Sequence, residues 1–390
     1  MKIVHLTYGR LNPESANGVN YVVLNLARAQ IAAGNDVCAL ALSPRDSEVL
    51  NMDRNAVPVT LIPDPARFPR RATLLWRHLD ALRSAGRVDV VHVHLAWHPQ
   101  KAIAAAWCRR VNVPYVVTTH AGYTPDRVAY HGIRKRIGWT LWERGFLNGA
   151  AAIHVICKEE ISDLRSLGVT APVFQAYNGI NWTQLPKKRD RAHLRARLGL
   201  APDRVLMVYV GRVAPEKNLE GLVRALGLVR KAGCEPPDLV IIGPADPSAR
   251  ERVLALAEAV GVAERVHLVG ALFGPEKYDA MASADFYAHP AWSDVVSIAV
   301  MEALACGLPA VVTRSSYVSY VWDRAAFEMV EPWPDDIATG IIRLLGRRGE
   351  WEKMGQAGRE LALREFSWKR SSETIVAEYV RVLSSRGQSR

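Results

Sequence analysis

The feature that most constrains this chain is a strand–helix alternation that runs through its first half and then begins again. Residues 2–7 are a short apolar run, and residues 19–33 set Val19, Val22, Val23, Leu26 and Ala33 on one helical face before Gly34 stops it. Residues 37–42, 88–93, 115–119, 152–156 and 173–175 are further β-rich runs, with helical patterns at 101–110 and 134–148. Strands separated by helices of about ten to fifteen residues specify βαβ units and a parallel sheet. After the polar stretch 178–190 the series restarts, with strands at 204–211, 239–243, 266–270, 286–289 and 310–313. A single core stops growing at roughly 250–300 residues, and the chain has 390. The expected class is therefore α/β, with two successive Rossmann-like domains whose ligands sit beyond the strand carboxyl ends.

Composition narrows the setting. Apolar residues make up 49% and charged residues 23%, an ordinary globular balance that excludes disordered and fibrous classes. No apolar run approaches the roughly 20 residues of a membrane span, and the first residues do not read as a secretory signal, so a cytoplasmic location is expected. Cys38, Cys108, Cys157, Cys234 and Cys306 are scattered without C-x-x-C spacing, which argues against a disulfide framework and a structural zinc. The net charge is +11, from 50 basic and 39 acidic residues. Residues 1–180 hold 21 basic and 13 acidic side chains (+8), and the remainder 29 and 26 (+3). Such a balance favours anionic partners.

The second half carries phosphate chemistry. At 208–218 a strand breaks at Gly211, and a loop with Arg212, Glu216 and Lys217 leads into a helix. A glycine at a strand end permits close backbone approach, and two cations on that loop suit a diphosphate leaving group. At 289–307 a strand ends at His289, a loop carries Asp294, and a helix runs from about Ser297 to Cys306 with Glu302 inside it. The helix N-terminus suits a phosphate, and ionised carboxylates beside it suit sugar hydroxyls. Read singly, each has an ordinary structural alternative: surface ion pairs for Arg212 and Lys217, an N-cap for Asp294, a solvated helix position for Glu302.

In order, Gly211-Arg212…Glu216-Lys217-Asn218 and then Asp294–seven residues–Glu302-Ala-x-Ala-Cys-Gly307-x-Pro resemble glycosyltransferase family four. Val88-Asp-Val-Val-His-Val-His94, Thr118-Thr-His120, Tyr177-Asn-Gly-Ile-Asn181, Ala284-Asp-Phe286 and Glu365-Phe-Ser-Trp368 extend the resemblance over nearly the whole chain. It implies a GT-B fold with two facing Rossmann-like domains and the active site in the cleft between them. The expected boundaries are 1–180 plus a returning helix at about 368–390 for the acceptor-side domain, and 181–367 for the donor-binding domain. It implies a retaining, metal-independent enzyme without cofactor, using a nucleoside-diphosphate sugar. By the same resemblance Gly211, Arg212 and Lys217 hold the diphosphate, Ser297 opens the helix facing it, Glu302 takes the ribose and Asp294 the donor hexose. Two departures stand out. The family's Gly-Phe-Gly is Val295-Val296-Ser297, and its Gly-Gly-x-Pro-Glu is replaced by the Ser- and Tyr-rich stretch 315–320.

In the first half, a turn-rich loop at 13–18 runs into a helix, and Gly18 keeps one of the family's paired glycines, implying a backbone N–H near phosphate or acceptor. His120 sits at a strand end, where it donates to a sugar hydroxyl or stabilises charge; by resemblance it lies near the reacting centre. His92 and His94 read as packing or crevice-lining residues. No Asp-x-Asp occurs, and no His/Asp/Glu spacing suggests a metal. Basic stretches with Arg67, Arg70, Arg71, Arg77, Arg83 and Arg87, then Tyr130, Arg134, Lys135, Arg136, Trp139, Trp142 and Arg144, suit an anionic leaflet carrying a lipid-linked acceptor. No nucleic-acid motif is present. The resulting expectation is hexose transfer to a hydroxyl of a glycan or lipid-linked acceptor in cell-envelope polysaccharide or glycolipid synthesis. A catalytically silent nucleotide-sugar-binding subunit is the alternative.

Overall fold

The computed structural model describes residues 1–12, 17–43, 48–63, 70–129, 132–187, 189–316 and 326–387. The chain forms two compact units, one of Met1–Gly179 with Trp368–Arg390 and one of Ile180–Ser367.

Among the described residues the first unit holds eight strands: β1 (Lys2–Tyr8), β2 (Asp36–Ser43), β3 (Leu50–Asp53), β4 (Pro58–Pro63), β5 (Val90–Val93), β6 (Tyr115–Thr118), β7 (Ala152–Val155) and β8 (Val173–Gln175). Their spatial order is β3-β4-β2-β1-β5-β6-β7-β8, and the pairings are parallel except β3–β4. That hairpin is absent from the sequence expectation. Leu50-Asn-Met-Asp53 is too polar to signal a strand, and β4 has proline at both ends. The central strands β5, β6 and β7 are buried throughout, which is why they read as continuous apolar runs. Helices cover them, and Trp107, Leu75, Leu79 and Phe146 fill the core. The closing helix Trp368–Gly387 packs along the first helix, Gly18–Ala32. A Cβ on Gly179 would lie 2.3 Å from the Trp368 backbone nitrogen, so only glycine fits beside the returning chain.

The helical region at 134–148 is not one α-helix. Segments Gly132–Gly138 and Arg144–Asn148 are joined by a π-helical turn, Trp139–Glu143. The wider turn aims Glu143 into the core, where it pairs with Lys101, both side chains fully buried. Tyr123 completes the group, accepting from Lys101 at 2.9 Å and donating to Glu143 at 3.1 Å.

The second unit holds β9 (Leu206–Val210), β10 (Asp238–Ile242), β11 (Val266–Gly270), β12 (Phe286–His289), β13 (Ala310–Thr313) and β14 (Phe327–Val330). All pairings in this sheet are parallel, in the order β11-β10-β9-β12-β13-β14. Buried Asp285 ties the starts of neighbouring strands together: its Oδ2 accepts from Leu206 N at 2.8 Å and from Arg195 Nη2 at 2.5 Å.

Candidate functional site

In the second unit, the ends of β9 and β10 meet backbone to backbone. Gly211 has φ +153° and Gly243 φ +156°, and a Cβ on Gly243 would lie 1.9 Å from the Gly211 carbonyl oxygen. The Gly211 backbone therefore demands glycine at 243, while a Cβ on Gly211 itself would lie 2.5 Å from the Tyr209 hydroxyl oxygen of its own strand. The loop beyond it is pinned to the β12 loop: Trp292 N donates to Glu216 O at 3.0 Å, and Asn218 Nδ2 donates to Pro290 O at 3.0 Å.

That pinning brings Lys217 to Asp294. Asp294 Oδ2 accepts from Lys217 Nζ at 2.6 Å and from His289 Nε2 at 3.0 Å, and Oδ1 accepts from Val295 N at 3.0 Å. Burial would raise the Asp294 carboxyl, but the His289 hydrogen bond and the Lys217 charge together hold it well below the usual carboxylate range. Burial lowers the His289 imidazole, against the pull of Asp294. Asp294 is thus an ionised, half-buried group rather than a plain helix N-cap. The helix it precedes, Ile298–Ala305, has Ser297 at its N-cap without a side-chain capping bond. Val296, in the stretch that departs from the family pattern, has φ +40°, a left-handed conformation unfavourable for a β-branched residue. Its N–H donates to Ser316 O at 3.2 Å, as Asp294 N does to Ser315 O at 3.3 Å. Residues 317–320 of that second departure lie outside the described residues.

Arg212 and Glu302 have other partners. Arg212 is exposed and paired with Glu216 at 2.9 Å, the ordinary surface pair that its spacing allowed. Glu302 is buried: Lys277 Nζ donates to both carboxylate oxygens at 2.7 Å, and Tyr278 donates its hydroxyl to Oε1 at 2.7 Å. The solvated-helix reading of Glu302 is therefore wrong. Sequence reasoning missed Lys277 and Tyr278, which lie on a different helix, Gly274–Ser283, with nothing local to mark them.

In the first unit, His120 follows the end of β6 in a tense loop. His120 and Ala121 have φ +46° and +59°, successive left-handed residues of a kind that concentrates at functional sites. Buried Glu160 holds the loop, accepting from Thr119 Oγ1 at 2.6 Å and Ala121 N at 3.3 Å, while its other oxygen accepts from Ile156 N at 2.8 Å. Behind His120 lies a set of buried imidazoles that sequence spacing does not reveal. His94 Nδ1 is 2.9 Å from His120 Nε2, and His94 Nε2 is 2.9 Å from His5 Nδ1. Ring nitrogens of His5, His92 and His94 lie within 4.8 Å of one another, a gathering that could hold a metal ion and that the separate strands conceal in sequence. Each of their six nitrogens, however, already has a hydrogen-bond partner within the protein.

Gly18 begins the first helix, with Asn17 as N-cap accepting from Val19 N at 3.0 Å; residues 13–16 of its loop lie outside the described residues. Of the basic surface, Arg134 and Arg136 are exposed, whereas Lys135 folds back, its ammonium 5.0 Å from the Trp97 ring centre. Trp139 turns inward against Trp97 and Tyr123, a correction to its placement on an outer surface that follows from the π-helical turn. In their stead Ile133, Ile137 and Leu141, four residues apart, are exposed at 81%, 54% and 70%. Arg67 and Tyr130 lie outside the described residues.

Comparison with known proteins converges on one group. The family model for Glycosyltransferase Family 4 matches residues 16–184, and that for Glycosyl transferases group 1 matches residues 190–361. A D-inositol 3-phosphate glycosyltransferase of Jonesia denitrificans is 26% identical, over 94% of this chain and 91% of its own. The namesake enzyme of Segniliparus rotundus is 32% identical over 49% of this chain and 43% of its own. Among solved structures, sucrose-phosphate synthase from Thermosynechococcus elongatus superposes with a TM-score of 0.80 at 20% identity, covering 99% of this chain and 100% of that one. WaaG, a glycosyltransferase involved in lipopolysaccharide biosynthesis, does so with a TM-score of 0.72 at 17% identity, over 96% and 98%. With two family models spanning nearly all of its length and a GT-B fold beneath them, the chain is an enzyme of the family-four glycosyltransferases.

Proposed function

We propose that this enzyme transfers a hexose, with retention, from a nucleoside-diphosphate sugar to a hydroxyl of a glycan or lipid-linked acceptor. The observation that carries the reading is the convergence of Lys217, Asp294 and the N-terminus of helix Ile298–Ala305 in one unit. Lys217, with Arg212 on the same loop, supplies positive charge to the departing diphosphate, and the helix N-terminus adds backbone N–H groups. Asp294, ionised and acceptor-only, is suited to donor hydroxyls, and Glu302 to the ribose. With cations of its own, the site is expected to work without a divalent metal. His120 serves the reacting centre from the first unit.

For the acceptor, the +8 excess of residues 1–180 and the exposed stripe Ile133–Ile137–Leu141 flanked by Arg134 and Arg136 favour an anionic leaflet and a peripheral hold on it. A soluble polyol phosphate is the second reading, favoured by the names of the curated relatives.

A thermal-shift panel of UDP, GDP, ADP and their sugars tests the donor side, since a bound ligand raises apparent stability by mass action. Transfer from the stabilising donor to inositol phosphate or to a lipid-linked glycan, with the product anomer read by NMR, tests the rest. No stabilisation by any donor, or an inverted product, would refute the proposal. Binding to anionic vesicles that salt and Leu141→Asp both abolish is expected for the leaflet reading; its absence selects the soluble acceptor.

A further inference from the structure

The loop that carries His120 adopts a turn its own sequence does not favour. Gly122 N donates to Thr119 O at 2.9 Å, which closes a four-residue β-turn with His120 and Ala121 at its centre. Both central residues have positive φ, +46° and +59°, as in a type I′ turn. Such turns draw on Gly, Asn and Asp, because a Cβ in the left-handed region costs about 1–2 kcal/mol per residue. Alanine in particular has no polar side chain to relieve that cost. The end of the turn is wedged in place: a Cβ on Gly122 would lie 2.3 Å from the Ala96 Cβ, and Trp97 Nε1 donates to Gly122 O at 2.6 Å.

The left-handed pair at its centre is held from another element. Glu160, in helix Glu159–Ser166, brackets His120 on both sides. Its Oε2 accepts from Thr119 Oγ1 at 2.6 Å, one residue before, and from Ala121 N at 3.3 Å, one residue after. Its Oε1 accepts from Ile156 N at 2.8 Å, which anchors the carboxylate just beyond β7. Both oxygens thus face backbone N–H donors, a demand that a carboxylate meets and an amide, with one acceptor oxygen, does not. Glu160 is buried, and no lysine, arginine or histidine pairs with it among the described residues. Burying a carboxylate is unfavourable unless hydrogen bonds replace its lost hydration, and two of the replacing donors belong to the His120 turn. A role limited to starting the helix would need Ile156 alone.

We propose that Glu160 is the positioning residue for His120: its carboxylate holds residues 119–122 in the left-handed turn, and the turn sets where the His120 imidazole stands. Without those bonds the ordinary hand of turn is the lower state for Ala121. Reversing the hand re-aims the side chain at 120 away from His94, whose Nδ1 lies 2.9 Å from His120 Nε2. The consequence for turnover rests on the glycosyl-transfer reading; the bracing of the turn does not.

The test pairs Glu160→Gln with Ala121→Gly in the full-length protein. Glutamine keeps the size but sets an NH2 group against one of the backbone donors, so kcat should fall roughly tenfold with donor KM within about twofold. Glycine carries no penalty at φ +59°. Ala121→Gly should therefore keep wild-type turnover by itself and restore most of the lost kcat in the double variant. A general loss of packing would not be repaired at that one position. Hydrogen–deuterium exchange over residues 115–125 should quicken in Glu160→Gln and slow again in the double variant. If Glu160→Gln fails to fold, Thr119→Val removes one of the bracketing bonds, and a roughly threefold loss of kcat, restored by Ala121→Gly, is expected instead. An unchanged kcat in a folded variant, or a loss that Ala121→Gly leaves untouched, would overturn the proposal. If exchange changes as expected and the wild type transfers no sugar, it is the glycosyl-transfer reading that fails.

Discussion

Lys217 donates to Asp294 Oδ2 at 2.6 Å, joining the loop after β9 to the loop after β12. The lysine proposed to serve the diphosphate is thus held by a carboxylate, and in that reading carboxylate and diphosphate compete for it. Lys217→Ala should cost about 1.5–3 kcal/mol of charge-assisted bonding, roughly ten- to a hundredfold in kcat/KM. Asp294→Asn leaves the lysine in place and frees its charge. Nucleoside-diphosphate affinity measured by calorimetry should hold or rise in that variant while transfer falls. Full activity in both Lys217→Ala and Arg212→Ala would remove these residues from the diphosphate site.

Metal dependence is checked by chelation. If Lys217 and Arg212 supply charge to the leaving group as proposed, saturating EDTA should leave the transfer rate within about twofold. A rate that collapses and returns with magnesium or manganese argues for a cation instead.

The histidines make the first unit acid-sensitive. An unfolded imidazole titrates near ~6.5, whereas burial lowers His5 and His154 to about 4 and His120 to about 3. Between those values the unfolded chain binds protons that the folded chain refuses, so stability rises with pH across that window. The contribution is complete above about pH 6.5 and is lost as pH falls toward 4, at up to about 1.4 kcal/mol per pH unit for each histidine. Urea midpoints measured at falling pH should drop steeply below neutrality; a flat profile would mean the rings are accessible to protons in the folded state.

Lys101 and Glu143 are a buried pair in the core. Lys101→Met should destabilise the protein by about 3–5 kcal/mol, because Glu143 is left without a countercharge. The double variant Lys101→Met/Glu143→Leu should recover most of that loss in denaturant unfolding. Simple addition of the two single losses would show that the groups act independently.

Much of this was legible in the sequence, and what was not has physical causes. Strands of a parallel sheet announce themselves as apolar or β-branched runs, so β1, β2, β5 to β8 and β9 to β13 could be read directly. The β3–β4 hairpin and β14 could not, since short strands with polar or proline-bearing sequences lack that signal. Lys217 and Asp294 were legible as motif members, but their contact was not, because 77 residues separate them. The π-helical turn escaped because its residues keep a helical composition, and the turn alone decides that Trp139 points inward. Lys277, Tyr278 and the imidazole chain were invisible for one reason: register between elements far apart in sequence creates them.

The closing helix gives the molecule an order of assembly. The first unit is interrupted after Gly179 and resumes only at Trp368, so a ribosome must synthesise the whole of Ile180–Ser367 before the missing piece emerges. At about 5–20 residues per second that interval is roughly ten to forty seconds. Throughout it the groove beside helix Gly18–Ala32 has no occupant, and Tyr379 has not yet reached His92. The intervening unit has time to collapse on its own, while the first remains open on the side its final helix will close. A nascent chain stalled inside this window therefore offers chaperones an unsealed first unit, and the hydrogen bond between Tyr379 and His92 is among the last features to form.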